Sequence, residues 1–340
     1  MSTPTSRFRF WPFALVLLLV LGAVGGLNYL VDPLWYVQGN RLTGKNFAFN
    51  ERIAKVNLLR RTVATAGYDC LILGSSRVTA VRSSQFQGQR CFNLSLKGAE
   101  IAEFLAYARF AQQSGLNAKT VYLSVDEFNF LVNKETERRS NPVVKGSPNA
   151  FHAFLSADVL LFSLMTLANI SPDPDLYYDR HFEAQEFAGV DYAQGTLTDK
   201  PDLQCDLRKV ASYQQLREIF PKARLVGYAP PITPWYQASD IYSRRVLDCG
   251  LTAFKQVAES YDAFWDFGIS SVVTEDPRGS YDGIHFSPAA NDLVVAQLIG
   301  ARSDLALDVK ALPLADYQQQ VRGRLKAFLE RQGRSDFWKD

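Results

Sequence analysis

Histidine is scarce in this chain, with three in 340 residues at positions 152, 181 and 285, so an imidazole base has few places to be. Cysteine is limited to four residues whose spacings have no metal-ligand character, and no metal or organic cofactor is implied. A charge excess is also missing. Lys and Arg number 37 against 35 Asp and Glu, a net charge of +2 that gives no reason to expect nucleic acid as a partner. What is present is apolar: a hydrophobic content of 47% excludes a disordered chain and suffices for one large α/β domain with an appendage, or for two small domains.

The first apolar block is at the N-terminus. Arg7 and Arg9 precede an uncharged stretch from Phe10 to Val31, roughly 22 residues and enough for a helix to cross a bilayer. Its apolar part, Trp11 to Leu30, exceeds the usual signal-peptide core. Gly22-Ala23-Val24-Gly25-Gly26 is followed by more apolar residues without a clear Ala-x-Ala site. The expectation is therefore an uncleaved anchor, with a signal peptide as the alternative. Arginines on the leading side place the N-terminus in the cytoplasm and the remaining roughly 310 residues across the membrane. Asp32-Pro33-Leu34-Trp35-Tyr36 then puts aromatics where an interfacial belt is expected. Export suits the cysteines, because an even number leaves no thiol over. If the strands beginning at Cys70 and Cys91 are parallel neighbours, their sulfurs start level and can bridge, leaving Cys205 to pair with Cys249. Four buried free thiols are the other possibility.

One histidine has a partner motif. In Tyr281-Asp282-Gly283-Ile284-His285-Phe286-Ser287-Pro288 a carboxylate precedes His285 by three residues on a Gly-containing turn. That spacing lets Asp282 fix the imidazole tautomer and stabilise the imidazolium, as a base for a serine nucleophile requires. The matching serine is Ser76, in Leu71-Ile72-Leu73-Gly74-Ser75-Ser76-Arg77, where a short apolar run reads as a buried parallel strand delivering a hydroxyl at its carboxyl end. Ligands bind at that edge of open α/β sheets. His152 and His181 have no such motif and read as structural or surface residues.

Between these blocks strand and helix patterns alternate. Strands are expected at Cys70–Leu73, Cys91–Leu94, Val121–Val125, Ala223–Tyr228 and Ala263–Phe267, and helices at 46–65, 99–114, 207–220, 239–260 and 288–299. Residues 131–206 break the alternation with a charged loop, Lys134 to Arg139, an apolar helix from Ala150 to Ile170 and a Tyr177-Tyr178 segment. They read as an insertion roofing the catalytic edge, with an apolar helix too short to span a membrane but suited to lie on one. Leu314 to Gln332 forms an amphipathic helix with basic residues around its apolar face, either docked on the domain or touching anionic headgroups. The expected organisation is a cytoplasmic tip and anchor (1–32), a linker and lead-in helix (33–64), a catalytic domain (65–300) and a C-terminal helix (301–340).

The serine and histidine blocks resemble the first and last signature blocks of the SGNH (GDSL-type) hydrolase superfamily, with Gly74-Ser75-Ser76 standing in place of Gly-Asp-Ser. Asn93-x-Ser95-x-x-Gly98 is similar to the second block, which gives Gly98 the implied role of presenting its backbone N–H to an oxyanion. The family's third block, Gly-x-Asn-Asp, is absent. The third strand ends instead in Asp126-Glu127-Phe128-Asn129, and an ionised Asp126 cannot donate a hydrogen bond. That leaves Asn129 to reach in from the loop, or the Ser76 and Gly98 N–H groups to act alone. The resemblance covers about residues 65–300 without the insertion. It implies a three-layer α/β/α sandwich of flavodoxin-like, SGNH type, with a five-stranded parallel sheet in the order 2-1-3-4-5. Relatives with an N-terminal anchor include proteins that O-acetylate exopolysaccharides and the D-alanyl transfer protein of teichoic acids. The implied function is thus serine-dependent acyl transfer or ester hydrolysis on a cell-envelope glycan or other acyl acceptor. The implied setting is the exported side of a bacterial inner membrane, with a membrane protein as acyl donor. The rival reading is a catalytically idle scaffold, a carbohydrate-binding or assembly subunit, for which the missing third block speaks.

Overall fold

In the computed structural model the described residues are 10–132, 144, 149–172, 176–186 and 197–338. Arg7, Arg9 and the charged loop Lys134–Arg139 lie outside them. The strands are β1 Cys70–Leu73, β2 Cys91–Asn93, β3 Thr120–Ser124, β4 Leu176–Tyr178, β5 Ala184–Glu186, β6 Arg224–Ala229, β7 Ala263–Asp266 and β8 Leu307–Asp308. β4 and β5 form a separate antiparallel pair, and the other six make one sheet in the order β2-β1-β3-β6-β7-β8.

Five of the six are parallel and follow the expected order, but the expected count was one short. β8 closes the edge antiparallel to β7, pairing Trp265 with Asp308 and Asp266 with Leu307. Two residues are too few to register as a strand in a sequence pattern.

The sheet is apolar on both faces because its strands send alternate residues to opposite sides. Leu71, Leu73, Val121 and Leu123 join one cluster, with Leu59, Phe104, Leu216, Phe254 and Tyr317. Cys70, Ile72, Tyr122 and Val226 join another, with Val294, Val295 and Leu298. Helices Glu51–Ala66, Ile101–Gln113, Leu247–Glu259 and Leu314–Arg331 thus cover the first face, and Pro288–Leu298 covers the second. Both disulfides are formed, Cys70–Cys91 and Cys205–Cys249. The first joins residues that are register partners on parallel strands, as expected.

Several expected elements start late or are interrupted. The lead-in helix starts at Glu51 rather than Asn46, because the Asn50 side chain caps it by accepting from Ile53 N. The span 150–170 splits into Ala150–Phe154 and Ala157–Leu167. The span 207–220 divides into a 3₁₀ turn and two short helices. The span 239–260 is interrupted after the π-helical Gln237–Tyr242 by Arg245, whose φ is 58°.

The N-terminal helix, Phe10–Val31, has the expected bounds and is long and apolar enough to cross a membrane. Trp35 is not an interfacial residue. It is fully buried and packs on Phe182 at 4.4 Å, because the chain turns sharply once the helix ends. Asp32 makes that turn, its carboxylate accepting from the N–H groups of Tyr36, Val37, Gln38 and Gly39. The C-terminal helix is docked, with Tyr317, Val321, Leu325, Phe328 and Leu329 all buried, so its apolar face is closed to a membrane.

Candidate active site

β1 leads into Gly74, where the chain passes so close to β3 that an added Cβ would sit 2.5 Å from Ser124 Oγ and 2.8 Å from Val78 Cγ2. Only glycine fits there. Ser75 and Ser76 follow at the start of a 3₁₀ turn, Ser76–Val78, and the two serines divide their tasks. Ser75 is buried: its Oγ donates to Asp126 Oδ1 and accepts from Arg77 N. Ser76 faces a cleft of about 350 Å³, lined also by Thr79, Lys97, Gly98, Leu176, Tyr281 and His285.

Asp282 builds the other side. One carboxylate oxygen accepts from Ile284 N at 3.0 Å and His285 N at 2.8 Å, which curls the Asp-Gly-Ile-His segment into a turn. Gly283 takes a φ of 98° within it. The second oxygen lies 2.7 Å from His285 Nδ1, and His285 Nε2 lies 2.8 Å from Ser76 Oγ. Residues 209 apart in sequence thus form one continuous relay. The turn is held from outside by Thr233, on the proline-rich loop after β6, whose N–H donates to Gly283 O at 2.8 Å.

The electrostatics favour one tautomer. Partial burial opposes ionisation of Asp282, but the hydrogen bonds from the His285 ring and from two backbone N–H groups outweigh it and hold the carboxyl below its ordinary range. An ionised Asp282 only accepts, so the proton lies on Nδ1 and Nε2 is left to accept from Ser76 Oγ.

The other sequence candidates fare unequally. Gly98, at φ 63° with open space beside it, lines the cleft. Asn93 does not. Its amide donates to Val78 O and Val81 O while its carbonyl accepts from Ser95 N and Oγ, so it braces the two loops from behind. Asn129 does not line the cleft either: it is fully buried, and its Oδ1 accepts from Ile101 N at the start of the following helix. His152 and His181 are exposed on the surface.

A buried ionic cluster beneath the serine turn escaped the sequence reading. Arg77 donates both guanidinium arms to Glu127 at 2.6 and 2.7 Å and lies 3.8 Å from Asp126. Burial pushes the Asp126 carboxyl up to about 6, against the pull of Arg77. The only signal was Arg77 beside Ser76 and two acids after β3. Helix Glu51–Ala66 supplies a second device that sequence did not mark. Glu51 accepts from Lys97 N, Arg52 donates to Lys97 O, and the buried Lys55 ammonium donates to Ser95 O at 2.6 Å. The loop carrying Gly98 is thereby fixed to that helix.

No protein-family profile and no curated protein matches the chain. Among solved structures, one from Streptococcus pneumonia described provisionally as a platelet activating factor aligns over 84% of this chain and 96% of its own, at 11% identity and a TM-score of 0.38. At that distance the match settles neither fold nor activity.

Proposed function

We propose that the protein is a serine-dependent acyltransferase or esterase of SGNH type. The observation that carries this reading is the unbroken line of hydrogen bonds from Asp282 through His285 to Ser76. In the proposed reaction His285 Nε2 takes the Ser76 proton as Oγ attacks an acyl carbonyl, and the Ser76 and Gly98 N–H groups hold the resulting oxyanion. The imidazolium, stabilised by Asp282, returns the proton to the departing alcohol and leaves an acyl-serine. His285 then deprotonates an acceptor hydroxyl or water, which releases the acyl group and restores Ser76.

The acceptor proposed is an exported glycan hydroxyl and the acyl group a small one such as acetyl. An N-terminal anchor, two disulfides and a cleft of about 350 Å³ suit that setting. Asp126 and Asn129 contribute no third donor to the cleft, and losing one such donor costs ~10²–10³ in rate. That favours a dedicated acceptor over fast general hydrolysis.

A fluorophosphonate probe tests the proposal. Wild type should be labelled on Ser76, and Ser76→Ala and His285→Ala should each lose nearly all labelling and esterase activity toward an aryl acetate, with little further loss in the double variant. Equal labelling of wild type and Ser76→Ala would sink the nucleophile assignment and leave the idle scaffold in its place.

A further inference from the structure

Among the described residues, eight large apolar side chains outside the N-terminal helix are exposed, and five of them, Phe151, Leu161, Leu164, Leu167 and Ile170, fall within 149–170. That segment contains no Lys or Arg and one acid, Asp158. In Ala157–Leu167 the buried side is Val159, Ser163 and Thr166, while Leu161, Leu164 and Leu167 recur at three-residue intervals on the outside. Apart from the exposed Asp158 in its first turn, the helix thus turns its hydroxyls, Ser163 and Thr166, inward and Leu161, Leu164 and Leu167 outward, the reverse of a helix that covers a water-soluble domain.

The inward side packs on the N-terminal helix. Asn28, fully buried, donates to Phe154 O at 2.8 Å and to Ser156 O at 3.3 Å and accepts from Ser163 Oγ at 2.9 Å. Tyr29 packs edge-on against Phe154, and Leu155 lies over Gly25. Asn28 precedes the helix end at Val31 by three residues, which at 1.5 Å per residue puts the contact about 5 Å inside that end. Amphipathic helices in a bilayer interface lie ~5–10 Å into the headgroup and acyl boundary, the same level.

We propose that the helix pair 150–170 is a second membrane-contacting element, with its leucine face immersed in lipid beside the anchor, in the leaflet where the anchor ends. The occupant of this face is the bilayer because the helix pair packs directly on Phe10–Val31, whose own apolar surface is exposed, and brings no Lys or Arg to hold it in water. The same contacts explain why the N-terminal helix is retained: Asn28 has its hydrogen-bond partners in the exported domain, which a cleaved leader would not need. Leu176, six residues beyond Ile170, lines the Ser76 cleft. The proposal rests on Phe10–Val31 being an anchor and is independent of the serine chemistry.

The test uses the full-length chain, whose four cysteines are all in disulfides. Single cysteines introduced as Leu161→Cys, Leu164→Cys, Leu19→Cys and Val272→Cys, all at exposed positions, are nitroxide-labelled in phosphatidylethanolamine–phosphatidylglycerol vesicles. Electron paramagnetic resonance then compares collisions with oxygen, which concentrates in lipid, and with a water-soluble nickel chelate. The ratio of oxygen to nickel collisions should be severalfold higher at 161 and 164 than at 272, approaching that at 19. Ratios equal to that at 272 would overturn the proposal. So would low collision rates with both reagents at 161 and 164, which would mean that a protein, a second copy or another partner, covers the face. A water-like ratio at 19 would remove the anchor and the proposal with it, whereas loss of probe labelling at Ser76 would bear only on the catalytic reading.

Discussion

Truncating Glu127 to alanine leaves the Arg77 guanidinium, only 3% exposed, with Asp126 at 3.8 Å as its remaining counter-ion. Breaking a buried ion pair from one side costs about 3–5 kcal/mol, because the surviving charge keeps its desolvation penalty. Asp126 softens the loss. Glu127 is one of the charges that hold its carboxyl up near 6, so removing Glu127 makes Asp126 the readier anion and places the effect at the lower end. With an unfolding entropy of about 2.1 cal/mol/K per residue over 340 residues, that is a fall in Tm of about 4 °C, read by circular dichroism in detergent. Arg77 adjoins Ser76, so the rate of fluorophosphonate labelling should fall with it. Arg77→Met combined with Glu127→Leu removes both charges and should recover most of the lost stability. A Glu127→Ala variant that melts within about 1 °C of wild type, or a double variant no better than the single, would refute the role assigned to this cluster.

Other expectations follow from single features. Gly74→Ala should cost about 1–3 kcal/mol through the clash with Ser124 and Val78. Gly98→Ala meets no atom, and should cost about 1–2 kcal/mol through its positive φ alone; comparison of their denaturation midpoints checks the distinction. Each disulfide should contribute about 3–4 kcal/mol, from loops of 21 and 44 residues in the chain-entropy model. Non-reducing peptide mapping should show both links, and four alkylatable thiols would contradict them. Burial lowers the Lys55 ammonium to about 8 in the folded state, from 10.5. Between those values the unfolded chain holds the extra proton, so this residue's contribution makes the protein more stable as pH rises from about 8 to 10.5. Stability of wild type minus that of Lys55→Met should climb across that window, and a flat difference would count against the assignment.

The strand positions were legible because a buried parallel sheet demands short apolar runs, and Cys70–Leu73, Thr120–Ser124 and Arg224–Ala229 are such runs. The Asp282–His285 pairing was legible because both partners sit on one turn, so spacing alone defines their geometry. The direction of the Asn93 amide, in the block resembling the family's second, was not legible, because only the carbonyls of Val78 and Val81, from a different loop, decide it. Arg77 with Glu127 was not legible as a pair: residues 50 apart meet because β1 and β3 are neighbours, and the charges flanking each strand do not by themselves say that they join. The split at 150–170 has the same origin, since its partner Asn28 lies more than 120 residues away.

The Asp32 turn, with its carboxylate closing on four successive N–H groups, bears on how the molecule searches for substrate. Proteins joined to a membrane through Gly- or Ser-rich linkers tumble on their tether and sweep a hemisphere. Here the stalk enters the domain through a closed ring of hydrogen bonds, followed at once by the buried Trp35. If Phe10–Val31 spans a membrane, as proposed above, a stalk joined in this way holds the domain at a fixed tilt and height over the lipid instead of letting it swing. Under that proposal, encounter is governed by what gathers along the membrane surface rather than by concentration in the surrounding fluid.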